Sequence, residues 1–281
     1  MTHTHHTVPT QYVEANGIRF AYRRFGKPGT IPIVLNQHFI GTMDYWDPLV
    51  TDGLAEDREV ILFNNAGVAS SSGVVPTTIE EMGANAIAFI RALNLGKVDV
   101  LGFSIGGTVA QEITLQAPDL VRKLILVGTG PRGGVGMDSL TSEAQAIFGR
   151  SYDPPKNLWL SVHFTPSEKS QAAGYRFLDR VLARVEGRDP EVSEQVAPTQ
   201  IEALGKWGVQ AEGSSEYLKA IKQPTLVVNG DNDVIIYTVN SFTLQQNIPD
   251  AQLILYPDAN HGSLYQYPEL FLAHVALFLD Q

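Results

Sequence analysis

At residues 102–106 the chain reads Gly-Phe-Ser-Ile-Gly, where the apolar run KVDVLGF (97–103) gives way to a helical pattern. A serine hydroxyl is a poor nucleophile until a base takes its proton. The glycines flanking Ser104 suit the sharp strand-to-helix turn that lifts such a hydroxyl clear of a sheet. A helix starting just after Ser104 also aims free backbone N–H groups at the site, which favours a developing negative charge. The competing reading is a serine that merely caps that helix. The chain has no cysteine, so disulfides, thiolate metal sites and cysteine nucleophiles are excluded. The glycines and serines of 67–73 read as a tight turn, because no P-loop lysine follows them.

The pattern around this serine is that of alternating strands and helices. QYVEANG and IRFAYRRFG alternate apolar with polar residues and meet at Asn16-Gly17, which predicts an antiparallel hairpin. Short runs rich in Val, Ile and Leu follow at 31–37, 58–65, 97–103, 121–128, 224–230 and 251–257, as expected for strands of a parallel sheet buried on both faces. Between them, Ile79, Met82, Ala86, Ile87, Ile90 and Leu93 recur at helical spacing, with Thr78 and Glu81 in capping-box positions. A second helix is expected between Ser104 and Pro118, and a last one through PELFLAHVALFL. This alternation predicts an α/β fold with helices on both faces of the sheet. About ninety residues separate the strand ending near Thr129 from the one beginning at Pro224, far more than an ordinary connection. They read as an insertion that starts at a linker, PRGGVG, and carries helices near 140–148, 168–186 and 191–208. It is expected to cover the C-terminal ends of the strands, where open α/β sheets bind ligands. The predicted organisation is thus a core of 11–130 and 214–281, an inserted helical cap of 131–213, and a mobile tail of 1–10.

With the serine motif placed between a buried strand and a helix, the chain resembles the α/β-hydrolase superfamily over residues 12–280, in its serine esterase and haloperoxidase-like branch. The resemblance implies a mostly parallel eight-stranded sheet and a triad ordered serine, acid, histidine. His261 stands in the short loop after the last strand run and is the expected base, with His274 read as a packed or surface residue and His163 as at best a pocket residue. The acid lies after PTLVVNG; family spacing from Gly230 points to Asp233, with Asp231 as the alternative and Asp258 disfavoured. The backbone N–H groups of Phe39 and Ile105 are implied as the oxyanion hole. In the segment Asn36-Gln37-His38-Phe39-Ile40-Gly41, His38 stands where the family commonly has glycine, which puts the loop conformation in question and makes His38 a pocket-lining candidate. Asn64 replaces a common aspartate in a turn whose role in the family is structural.

Composition bounds the partners. A formal charge of -10 argues against nucleic acid and anionic membranes. No signal peptide or membrane-spanning run is evident, so a cytoplasmic location is expected. His3, His5 and His6 could meet a metal only in a tail expected to be mobile, and neither a metal nor a cofactor is expected. The expected activity is hydrolysis of a small or medium carboxylic ester or lactone, with a homo-oligomeric assembly left open. Perhydrolysis, carbon-carbon bond hydrolysis and iminopeptidase activity use the same residues, the last with Glu168, Glu186, Glu191, Glu194 or Glu202 as amine anchors. A ligand receptor without turnover is the reading outside the enzyme class.

Overall fold

The computed structural model describes residues 3–281. Its hairpin pairs β1 (Gln11–Ala15) with β2 (Ile18–Gly26) through Asn16 and Gly17, both at positive φ. The sheet continues through β3 (Ile33–Asn36), β4 (Glu59–Phe63), β5 (Val98–Phe103), β6 (Val121–Val127), β7 (Thr225–Gly230) and β8 (Ala251–Tyr256). Its spatial order is β1-β2-β4-β3-β5-β6-β7-β8, with β2 antiparallel to β4 and every later pairing parallel. This is the expected eight-stranded, mostly parallel architecture. β3 and β5 are buried along their whole length. β8 differs from the expectation of two buried faces: it is the edge strand, and most of its residues stay partly exposed.

The helices are α1 (Pro48–Ala55), α2 (Ile79–Ala92), α3 (Ile105–Gln116), α4 (Ser142–Phe148), α5 (Leu158–His163), α6 (Glu168–Val181), α7 (Val196–Gly208), α8 (Val239–Asn247), α9 (Ser263–Gln266) and α10 (Pro268–Asp280). Strand alternation divides the core between the two faces of the sheet. Val34 and Val100 pack in one cluster with Ile87 and Ile90 of α2 and Val109 and Ile113 of α3. Ile33, Leu35 and Leu101 pack in the other with Val50 of α1 and Phe271 and Val275 of α10. The Thr78 hydroxyl accepts from Glu81 N–H at the start of α2, as the capping box predicts. Among the described residues no helix is long and apolar enough to cross a membrane.

The insertion contains α4 to α7. α5 has no counterpart in the sequence reading, because six residues are too few for a periodic signal. Its approach from the core is no loose linker: Val135 N–H donates to Asn240 Oδ1 (2.8 Å), Gly133 N–H to the Trp207 carbonyl (2.9 Å), and Arg132 lies over the rings of Trp207 and Tyr217 while pairing with Glu112. Midway along it an ion cluster centred on buried Arg23, Asp44 and Asp47 ties it down. Arg23, fully buried, pairs with Asp44 at 2.6 Å and donates to the Gly187 carbonyl, while Arg180 makes a bidentate pair with Asp47.

The N-terminal segment corrects the expectation of a mobile tail over 1–10; residues 1 and 2 lie outside the described residues. His5 and Val8 are buried. His5 N–H donates to Asp52, its ring Nδ1 bonds the Thr51 hydroxyl at 2.9 Å, and the Arg184 guanidinium donates to the carbonyls of His5 and Val8 at 2.6 and 2.8 Å. The anchor comes from the insertion, nearly 180 residues along the chain, so no local pattern in a polar terminal stretch reveals it.

Candidate active site

β4 and β5 flank β3, so the chain leaves β3 in one direction and returns on its other side. Such a switch in strand order opens a crevice at the C-terminal strand ends. Ser104 follows β5 there, and His38 and Phe39 follow β3. The Ser104 backbone has φ 60° and ψ -125°, a conformation L-residues avoid. The flanking glycines allow it: a Cβ on Gly102 would collide with the Gly106 carbonyl, and one on Gly106 with the Asn36 carbonyl. Although Ser104 occupies the N-cap position of α3, its side chain makes no capping hydrogen bond. The capping reading of this serine therefore fails, and its hydroxyl opens on a cavity instead.

Asp233 sits in the turn after β7 and His261 in the loop after β8, both buried. Asp233 Oδ1 accepts the N–H groups of Ile235 (2.9 Å) and Ile236 (3.0 Å), and Oδ2 accepts from His261 Nδ1 at 2.9 Å. A carboxylate only accepts, so His261 Nδ1 carries a proton, and in the neutral ring Nε2 is then the acceptor. The two alternative acids are engaged elsewhere. Asp231 accepts from Ala259 N–H as a turn residue. Asp258 accepts the hydroxyls of Thr165 (2.7 Å) and Ser167 (2.6 Å) at the start of α6, bonds that hold its carboxyl below the usual range. The same loop meets the insertion twice more, through Gly262 N–H to the His163 carbonyl (2.9 Å) and Asn260 Nδ2 to the Ser161 carbonyl (3.3 Å). His274, on α10, packs on Tyr256 and bonds its hydroxyl.

In the β3 loop, Gln37 Oε1 accepts His38 N–H (2.8 Å) and Gln200 Oε1, from α7, accepts Ile40 N–H (2.7 Å). Between them, the Phe39 N–H makes no hydrogen bond among the described residues. The Ile105 N–H, first in α3, has no intrahelical acceptor by construction. Replacing the usual glycine by His38 needs no unusual backbone at that residue, because the positive φ of this loop falls on Ile40 (51°). Asn64 bridges Met43 N–H and Asp189, a structural role. Gln200 carried no signal in the sequence: a polar residue on an amphipathic helix ordinarily faces water.

Ser104, His38, His163 and His261 line a cavity of about 390 Å³ whose wall is otherwise largely apolar, with Phe39, Phe148, Leu158, Val162, Leu204 and Ile235. Helices α4, α5 and α7 of the insertion supply much of it. No lysine or arginine lines it, and Asp138 is its one carboxylate. Glu168, Glu186, Glu191, Glu194 and Glu202 do not line it. Burial drives the His38 imidazole down to about 3 against the pull of the Phe39 carbonyl, and drives His163 well below its ordinary value. Both rings are neutral at physiological pH. Among the described residues no group of His, Cys, Asp or Glu is arranged to hold a metal.

Three similarities bear on the family of the fold. A solved α/β-hydrolase fold protein from Chitinophaga pinensis is 42% identical with a TM-score of 0.94, covering 99% of this chain and 100% of that one. A poly(3-hydroxyalkanoate) depolymerase from Ectopseudomonas oleovorans is 28% identical over 284 residues, covering 97% of this chain and 92% of the relative. The structure of Est816, described as an N-acyl homoserine lactone degrading enzyme, is 26% identical with a TM-score of 0.73, covering 95% and 100%. Residues 31–268 match the family model for the alpha/beta hydrolase fold, and the chain belongs to that family of hydrolases.

Proposed function

We propose that the protein is a serine hydrolase that cleaves a neutral, small or medium carboxylic ester or lactone through an acyl-enzyme. The observation that carries this reading is the buried Asp233 to His261 hydrogen bond, with Ser104 and His261 opening on one apolar cavity. Ser104 Oγ bonds to the carbonyl carbon while its proton passes to His261 Nε2, and the amides of Phe39 and Ile105 stabilise the oxyanion. Collapse breaks the bond to the leaving oxygen, which takes the proton from His261. Water then repeats the sequence, releasing the acid and restoring Ser104. Asp233 holds the Nδ1–H tautomer and stabilises the imidazolium. The insertion acts as the cap that forms the substrate wall.

Anionic substrates are disfavoured because a carboxylate in a cavity without Lys or Arg would be buried unpaired, and the largely apolar wall favours uncharged groups. None of the five candidate glutamates reaches the wall, so Asp138 is the one carboxylate an amine could meet there. Ester and lactone chemistry also agrees with the polyester and lactone named for two of the relatives. The test is labelling with a fluorophosphonate and mapping of the modified peptide, alongside release of acid from p-nitrophenyl esters. Rapid modification confined to Ser104, lost together with turnover in Ser104→Ala, is the expected result. A folded protein that neither labels nor turns over an ester panel would overturn the reading and favour a receptor.

A further inference from the structure

His38 and His163 line the cavity, yet the acyl-enzyme chemistry uses neither. A ring that only filled space here would be phenylalanine, since the surroundings are aromatic. Trp159 stacks on His163 at 5.3 Å, and the rings of Phe103, Phe177 and Tyr265 lie 5.4 to 5.8 Å from it. As imidazoles the two residues carry an unmet demand: both ring nitrogens of His163 and Nε2 of His38 are buried without a hydrogen-bond partner. Such atoms in a folded protein call for an explanation.

Their proton positions follow from elementary chemistry. His38 Nδ1 lies 2.8 Å from the Phe39 carbonyl, which can only accept, so Nδ1 carries the proton. In a neutral ring Nε2 is then an acceptor. Neutral His163 offers one N–H donor and one acceptor, with its ring centroid 5.3 Å from that of His38. An acceptor on one ring and a donor on the next complement a hydroxyl, which donates one hydrogen bond and accepts another. An alkyl chain satisfies neither, and a carboxylate would oppose the His38 lone pair. His163 also lies parallel to His261 at 6.1 Å, which puts this pair close to the reacting carbonyl.

We propose that His38 and His163 form a hydroxyl-recognising subsite, so that the enzyme prefers esters or lactones bearing a hydroxyl near the scissile carbonyl to their deoxy analogues. The proposal rests on the reading of Ser104 as nucleophile. Because these nitrogens are buried, solvent does not make good a missing hydroxyl. A site built around a hydroxyl rejects the analogue lacking it more strongly than an apolar pocket rejects an added one.

The experiment compares kcat/KM for ethyl β-hydroxybutyrate and for ethylene glycol monobutyrate, each against ethyl butyrate. The first arm places the hydroxyl on the acyl side and the second on the alcohol side. The hydroxylated ester of one arm is expected to be preferred by about ten-fold or more. That ratio should fall to near one in His38→Phe and in His163→Phe, whereas His163→Asn, which keeps a donor and an acceptor, should retain part of it. Calorimetry of ethyl β-hydroxybutyrate, ethylene glycol monobutyrate and ethyl butyrate, all uncharged, on Ser104→Ala reads the same preference without turnover. Equal use of all three esters by the wild-type enzyme, or a preference undiminished in both phenylalanine variants, overturns the subsite. If the wild-type protein hydrolyses no ester, the nucleophile reading fails, and a tighter hold on either hydroxylated ligand by Ser104→Ala still decides whether the subsite exists.

Discussion

Asp233→Asn separates a chemical role for this side chain from a structural one. Oδ1 of Asp233 accepts two backbone N–H groups, from Ile235 and Ile236 at 2.9 and 3.0 Å. An asparagine placed there must keep its oxygen on those amides, because turning its NH₂ toward them would oppose donor to donor. Its Nδ2 then takes the place of Oδ2, 2.9 Å from His261 Nδ1. A donor facing Nδ1 requires that nitrogen to be bare, which moves the imidazole proton to Nε2 and removes the lone pair that should accept the Ser104 proton. The expected loss is on the order of 10⁴ in kcat, or about 5.5 kcal/mol of transition-state stabilisation. The isosteric variant should melt close to the wild type. Asp233→Ala, which leaves both amides unpaired, should lose about 1–3 kcal/mol of stability. It leaves His261 free to adopt either tautomer, so its kcat should be no lower than that of Asp233→Asn. Steady-state kinetics on a p-nitrophenyl ester with thermal melts of all three proteins suffice. An asparagine variant within ten-fold of wild type, or clearly more active than the alanine variant, would refute the tautomer argument.

Two further outcomes follow from the site and its surroundings. Gln200→Ala removes the acceptor of Ile40 N–H and should loosen the loop that presents the Phe39 amide, lowering kcat about ten-fold with a smaller change in KM; steady-state kinetics with an unchanged kcat would count against it. Burial depresses His5 and His38 to about 3 and His163 well below its ordinary value, so the folded protein holds fewer protons than the unfolded chain below pH 6.5. Stability is therefore full above that pH and lost as it falls, by about 1.4 kcal/mol per pH unit for each histidine. Urea midpoints should drop between pH 6.5 and 5, and His5→Gln should remove about a third of that slope. Nearer pH 4 the carboxyls of Asp52, Asp99 and Asp189, pushed up by partial or full burial, work in the opposite direction.

What the sequence reveals divides along local and distant causes. The hairpin at Asn16-Gly17, the apolar strand runs, the cap at Thr78 and the strand-turn-helix setting of Ser104 are written in neighbouring residues, so they are legible. The chain order of Asp233 and His261 is legible as well, because each follows a recognisable strand. The N-terminal anchor by Arg184, the clamp of Gln200 on the β3 loop and the bonds from Thr165 and Ser167 to Asp258 join residues roughly 90 to 180 positions apart. No periodicity encodes such pairings. α5 escapes detection by its brevity, and with it the placement of His163 and Trp159 against His38. β8 reads like an inner strand because its residues are apolar, while its edge position depends on topology alone.

The bonds between the His261 loop and the insertion bear on how this fold could be re-engineered. Ser161, His163, Thr165 and Ser167 supply partners to Asp258, Asn260 and Gly262, the residues on either side of His261. Grafting a foreign segment in place of 131–213 would therefore strip the loop of its scaffold even if the sheet were untouched. The transplantable unit is larger than the insertion: it comprises the helices together with residues 258–262. Substrate scope is more safely recast from α4 and α7, whose Phe148 and Leu204 face the cavity without contributing to that junction.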